Sequence, residues 1–471
     1  MGTDTITHTL LGVDVPSGTC MATLVEPKQS TGFTRRGVLL VPPFGIEHAG
    51  SDRFLRMFAD YAARRGHVVL TIEPVGTGDS TDLPDNVDLV TSYREAVRAG
   101  VYTLAALGTS VAVVSMRFGA LPVAAVLTER EIRELVSATV LIEPVVRGRD
   151  YRRELLLLGA STMAGLPEGW AAPAGSILRP CDLCAIGSLD ILELPVGAKQ
   201  VLVVHGPLTP FPATTLSAWR AHASVETLVV PVSELVTQDP ERGRVFPELI
   251  AGIADWFDRL PAPRPPAPPI GVELPTPFAI SGPSWREVAV ALPMADGEIL
   301  HGIRTSPLQA TRPGLILLPA GTNPRFGPAR RHTVLARTLG ANGVATLRME
   351  RRGAGVDGRT LDAYDPVHIA DTRTIDAAAG AILGTPQTTI VAMRSGAWSE
   401  WLVTLGGLRA TDVVLINEPI VGEDSWDLAA DDTGKVFASP ASVNWLSANL
   451  LARIRTSTRG DESSSPTRSS L

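Results

Sequence analysis

Val111-Ala-Val-Val-Ser-Met-Arg-Phe-Gly-Ala120 decides the architecture, because the chain carries a second version of it, Thr388-Thr-Ile-Val-Ala-Met-Arg-Ser-Gly-Ala397. Each is a β-branched run that breaks at x-Met-Arg-x-Gly-Ala and passes into a helical pattern. Strand, sharp turn and helix in that order stand one side chain at the top of a parallel sheet, where G-x-S-x-G would present a serine. Here that side chain is Arg117 in one copy and Arg394 in the other.

Working outward, the matches keep one spacing. Gly314-Leu-Ile-Leu-Leu-Pro-Ala320 answers Gly37-Val-Leu-Leu-Val-Pro-Pro43, and Gly343, Glu350, Gly353 and Gly355 answer Gly66, Glu73, Gly76 and Gly78. All lie 277 residues apart, as do Arg394 and Arg117. An unbroken register of this length reads as a tandem duplication. Beyond the turn it slips by two, so that Glu418-Pro419 answers Glu143-Pro144 at an offset of 275.

Each unit alternates buried-strand runs with helical patterns on short connections, which predicts parallel, doubly wound sheets. Residues 6–25 alternate around Pro-Ser-Gly and predict a hairpin. Val201–Val204 and Thr227–Pro231 predict two last strands in the first unit. Adding 277 to Val201 gives 478, past residue 471, so the second unit is expected to be truncated with an open sheet edge. We divide the chain into a complete unit at 1–260 with a cap at about 147–195, a Pro-rich linker at 261–275, a truncated repeat at 276–455 and a disordered tail at 456–471.

Composition narrows the class. Of 471 residues, 45% are hydrophobic and 19% charged, a globular balance rather than a disordered one. The net charge of −7 has no basic stripe, which argues against nucleic acid and anionic membrane as partners. Three cysteines cannot make a disulfide framework, Met1–Leu10 lacks an apolar signal core, and no run is long enough for a membrane span, so the cytoplasm is the expected compartment. Arginine and alanine richness hints at a bacterial source. No cofactor or metal motif is apparent.

Both units resemble the α/β-hydrolase superfamily, and more narrowly the hydrolase-like proteins associated with exosortase systems, near the serine aminopeptidase-type lipases and esterases. The residues that carry the likeness are Pro42-Pro-Phe-Gly45, Arg53, Gly76-Thr-Gly78-Asp-Ser80, Ser115-Met-Arg-Phe-Gly-Ala120 and Glu143-Pro-Val-Val-Arg-Gly148. Those relatives also tend to place Arg in the elbow. The resemblance implies a triad of nucleophile, histidine and orienting acid, and this chain departs from it. Arg117 and Arg394 stay protonated and cannot attack. Where the family has an acid after the strand, the chain reads His205-Gly-Pro-Leu-Thr209; where it has a histidine, Pro231–Phe246 contains none. The expectation is a pseudoenzyme, with the triad degraded in both copies, that binds a carboxylate- or acyl-bearing small molecule or serves as a scaffold.

What remains at the strand ends is a polar set: Arg117, Glu73 and Glu143 with Phe44 in the first unit, and Arg394, Glu350 and Glu418 in the second. Such ends converge on the crevice where ligands bind in doubly wound sheets. An Arg–Glu pair that only fixes the turn is the plain reading; a guanidinium that grips the carboxylate of a small acidic or acyl ligand is the functional one. Ser115, His48 and His205 are weak catalytic candidates, for an esterase or acyltransferase with a non-standard set. Cys181-x-x-Cys184 is expected to be packing, and Arg351-Arg352 a solvated loop. The two lobes are expected to pack on one another or to form a homo-oligomer, covering the open edge.

Overall fold

In the computed structural model, residues 6–28, 36–160, 165–192, 198–232, 245–261, 271–309, 312–320, 323–353, 365–393 and 410–416 are described. The first lobe begins with the hairpin β1 (Ile6–Val15) and β2 (Gly18–Pro27). It continues through β3 (Gly37–Val41), α1 (Ile46–Arg64), β4 (Val68–Glu73), α2 (Leu89–Ala106), β5 (Val111–Met116), α3 (Ala120–Val126), α4 (Arg130–Leu135) and β6 (Val136–Ile142). After β6 come α5 (Gly148–Gly159) and α6 (Pro180–Gly187), then β7 (Gln200–His205), α7 (Ala213–Arg220), β8 (Ser224–Val229) and α8 (Pro247–Arg259). Strands β3 to β8 pair in parallel, whereas β1, β2 and β4 pair antiparallel.

The sheet runs β8-β7-β6-β5-β3-β4-β2-β1-β9, the last being Thr276–Pro277, which pairs with β1. Strand alternation sends Leu39, Val41, Val111 and Val113 to the face covered by α2 and α3. It sends Val38, Leu40, Ala112 and Val114 to the face covered by α1 and α8. Both faces are therefore dry, which is why the parallel strands read as unbroken apolar runs. Full burial of Phe54, Phe58 and Trp256 on the second face contributes on the order of 2 kcal/mol each.

The second lobe repeats the pattern with β10 (Ala279–Ser281), β11 (Trp285–Pro293), β12 (Ile299–Pro307), β13 (Gly314–Leu318), α9 (Arg331–Ala341), β14 (Thr346–Met349), α10 (Val367–Leu383), β15 (Thr388–Met393) and β16 (Asp412–Ile416). Its order is β10-β11-β12-β14-β13-β15-β16, the first lobe's order without partners for β7 and β8 among the described residues. Pairing repeats residue for residue: Leu40 faces Thr71 as Leu317 faces Arg348, each 277 further on. At the last strand the offset becomes 274, since Val113 faces Thr139 and Ile390 faces Val413; the Glu418-Pro419 match lies outside the described residues. Among the described residues no helix is long and apolar enough to cross a membrane.

The lobes meet through an apolar patch and a buried ion lattice. Leu10 and Met21 pack with Phe278, Ile280, Trp285 and Ile303. Beside them the turn Gly76–Ser80 after β4 enters the second lobe. Arg348 and Arg325 both pair with Asp79, and Thr333 Oγ1 donates to it at 2.9 Å. Arg330 Nε donates to the Gly78 carbonyl at 2.8 Å, and Arg337 reaches the Asp79 carbonyl at 2.9 Å and Glu287 at 2.8 Å. Gly78 is indispensable in that turn: its φ is +49°, and a Cβ would lie 1.9 Å from Glu73 Oε2.

Candidate functional site

The strand order of the first sheet turns back between β3 and β5, so the loop after β3 and the turn after β5 define its crevice. At the end of β5, Arg117 takes φ +47°, opens a 3-10 turn over Arg117–Gly119 and leads into α3. Gly119 lets this turn sit against the loop, since a Cβ there would lie 3.0 Å from the Pro42 carbonyl. A bulky side chain held at positive φ at the top of a parallel strand is the geometry of a nucleophile elbow. The chain folds as two α/β-hydrolase-like lobes.

The elbow arginine is held on two sides. Its Nε donates to Glu47 Oε1 at 2.8 Å and its terminal nitrogen to Glu154 Oε1 at 2.9 Å. Its guanidinium lies 5.7 Å from the centre of the Tyr151 ring, whose hydroxyl donates to Glu47 Oε2 at 3.2 Å. Burial works against the charge on Arg117, but Glu47 and Glu154 outweigh it and hold the proton more tightly than usual. Burial raises Glu47 above the ordinary carboxylate range, with Arg117 opposing. The two carboxylates differ: Glu47 at the start of α1 is 13% exposed, whereas Glu154 on α5 is 47% exposed.

Phe44, Gly45, Ile46, Leu155, Leu158, Pro173 and Ala174 join Glu47, Tyr151 and Glu154 around a cavity of about 60 Å³. Beneath it Phe118 stacks on Tyr151 at 5.7 Å and meets Tyr93 edge-on at 5.0 Å, which makes a stiff apolar floor.

The other sequence candidates disperse. Glu73 faces away from Arg117: it accepts the Asp79 N–H at 2.7 Å within the lobe interface, where burial first and Asp79 second raise its proton affinity. Glu143 ends β6 at φ +42°, with Oε1 accepting from Thr209 at 3.2 Å and Oε2 buried without a partner. So the carboxylates paired with Arg117 are Glu47 and Glu154, not Glu73 and Glu143. Ser115 is wholly buried, its hydroxyl unpartnered, on the sheet face of Val111 and Val113 that α2 and α3 cover. His48 is buried 5.0 Å from the Phe326 ring of the second lobe, and burial lowers it to about 3. His205 has its Nδ1 2.9 Å from the Gly206 carbonyl oxygen.

In the second lobe Glu350 is buried against Arg325 and 3.7 Å from Arg56 of the first lobe. Arg394 and Glu418 lie outside the described residues. Arg351 and Arg352 are not a solvated loop: both are buried, and Arg352 is clamped on Asp371 at 2.6 Å. Cys181 and Cys184 are exposed rather than packed. Among the described residues no group of three or more histidines, cysteines or carboxylates could hold a metal.

Sequence reasoning did not single out Glu47, Glu154 or the interface arginines. A signal existed for the latter: the two copies differ in charge there. Thr71 answers Arg348, His48 answers Arg325, Asp60 answers Arg337, and Asp79 answers Val356.

Among solved structures, the chain is similar to Est1E from Butyrivibrio proteoclasticus bound to ferulic acid (15% identity, 52% of this chain and 96% of that one, TM-score 0.39). It is similar to an esterase from Pyrococcus furiosus (16%, 54% and 90%, TM-score 0.37) and to a predicted hydrolase from Thermoplasma acidophilum (13%, 54% and 100%, TM-score 0.33). No family model and no curated protein matches the chain. The architecture rests on strand order and register, not on these likenesses.

Proposed function

We propose that this protein is a non-hydrolytic member of the α/β-hydrolase architecture that binds a carboxylate-bearing acyl molecule at Arg117. One observation carries the reading: a guanidinium stands where a nucleophile would stand, held by one partly buried and one exposed carboxylate that both line the neighbouring cavity. The exposed Glu154 acts as an internal substitute for the ligand. A ligand carboxylate takes its place in a fork-shaped pair with Arg117, and the acyl chain lies along Phe44, Leu155, Leu158 and Pro173. The cavity is small and partly open, and Glu154's departure allows α5 to swing outward and admit the acyl chain.

Titration calorimetry with saturated monocarboxylic acids of increasing length tests this. Affinity should rise with chain length, tighten in Glu154→Gln and vanish in Arg117→Ala. Equal heats in wild type and Arg117→Ala would reject it. The narrower exosortase-associated grouping, the lobes acting as one packed unit and a cytoplasmic location belong to the same proposal.

A second reading, esterase or acyltransferase chemistry with a non-standard set, has one observation in its favour. Glu143, strained and with a free oxygen, accepts the hydroxyl proton of the exposed Thr209 beside the His205 strand end. In that version the Thr209 hydroxyl attacks an ester carbonyl while Glu143 takes its proton; the carbonyl–alkoxy bond breaks, the acyl group stays on Thr209, and Glu143 returns the proton to the departing alcohol. A single fluorophosphonate adduct, lost in Thr209→Val, would favour it.

A further inference from the structure

We infer that Cys181 and Cys184 form a reversible dithiol–disulfide site whose closure releases a clamp on α2. Both thiols are exposed on α6, three residues apart and so on one face of the helix. The third cysteine, Cys20, is buried on β2, and burial pushes its thiol far up, which leaves it inert. The exposed pair is thus the redox-accessible sulfur of this chain among the described residues.

Between the two cysteines stands Asp182, buried, with its carboxylate split between two duties. Oδ1 accepts the backbone N–H of Leu89 at 2.9 Å, the first residue of α2, and Oδ2 accepts the Arg179 N–H at 2.8 Å. Arg179 in turn donates to the carbonyls of Pro84 and Asp85 at 3.0 Å each, and to that of Val87. The first turn of α6 is therefore the staple that holds the start of α2.

Helical spacing leaves the two Cβ atoms about 5–6 Å apart, whereas a disulfide needs about 3.5–4.5 Å. Closure pulls in the turn that carries Asp182 and draws its carboxylate from Leu89. A strained, exposed disulfide is of the labile kind, readily reduced again.

A low-molecular-weight disulfide such as oxidised glutathione serves as oxidant. The Cys181 thiolate attacks one of its sulfurs and expels the first small thiolate, forming a mixed disulfide. Cys184, its proton lost to solvent, attacks the Cys181 sulfur and expels the second. Two protein thiols become one disulfide, one small disulfide becomes two thiols, and the cysteine protons end on the released thiolates.

Intact mass and peptide mapping of the full chain after treatment with oxidised glutathione test the site. The expected product has lost two hydrogens, retains no glutathione, joins residues 181 and 184 and reverts with dithiothreitol. Cys184→Ser should instead keep one glutathione on Cys181. Amide exchange over Leu89–Ser92 should quicken in the oxidised wild type and not in Cys184→Ser treated alike. Wild type that keeps a glutathione on each cysteine, or exchange that is unchanged on closure, overturns the inference.

Discussion

Asp79 and Arg348 form an ion pair across 269 residues of sequence with neither side chain reaching solvent. Arg348 also donates to Thr333 Oγ1 and Glu287 Oε1 at 2.7 Å each, so one guanidinium ties the first lobe's turn to two elements of the second. Such a pair adds little over a well-packed apolar contact, but breaking one side is costly. Arg348→Met should therefore destabilise the chain by about 3–5 kcal/mol in urea unfolding. Adding Asp79→Asn should recover none of the loss, because Arg325 still pairs with Asp79 and would then be left with Glu350 alone. A loss below about 1 kcal/mol would show that the pair does not hold the lobes.

Gly78→Ala should destabilise by at least about 2 kcal/mol, since backbone strain at positive φ adds to a clash with Glu73. Gly108→Ala is the control: its φ is +78°, yet nothing stands within 4 Å of a Cβ there. That variant should lose only about 1 kcal/mol. Equal unfolding midpoints for the two would remove the close-approach argument.

Buried histidines work against the fold in acid. Burial lowers His48 to about 3 and His332 and His301 to about 4 each. Unfolded histidine titrates near about 6.5. In between, the unfolded chain binds more protons, so this stability is full above about 6.5 and drains as pH falls toward 4. Burial raises Asp52 to about 6 and Glu73 as well, so the folded chain binds protons there and opposes the trend. Burial raises Glu26 and Glu47 too, so the histidine share is read by substitution: as pH falls from 6.5 to 4.5, the stability difference should move in favour of His48→Phe over the wild type by roughly 1 kcal/mol per pH unit. A difference that does not change over this range would contradict the burial of the His48 ring.

Ser115→Ala should leave the fold intact or stabilise it by up to about 1 kcal/mol, because the hydroxyl is buried without a partner. It should also leave fluorophosphonate reactivity as it was. Destabilisation, or loss of an adduct, would mean that the hydroxyl has a partner or a role that this packing does not provide.

Much of the fold was legible because it is written in backbone periodicity. Gly37–Val41 and Gly314–Leu318 are strands with every residue buried, and their shared 277 spacing reappears in the pairing register. The elbow was legible for the same reason: Met-Arg-x-Gly-Ala breaks a strand, and the break places Arg117 at positive φ. The carboxylates that meet it were not. Glu47 and Glu154 arrive from α1 and α5, 70 and 37 residues away, and no local pattern marks either.

Residue type and local spacing were enough to read the doubled sheet order and the arginine at each strand-to-helix turn. Only the tertiary structure decided where the charges go. It turned Glu73 and Glu350 into the lobe interface, buried Arg351 and Arg352, and gave Arg117 to Glu47 and Glu154. The physical reason is range. Strand and turn preferences act over a few residues, whereas a buried charge takes whichever opposite charge the packed lobes bring within about 4 Å, however distant in the chain.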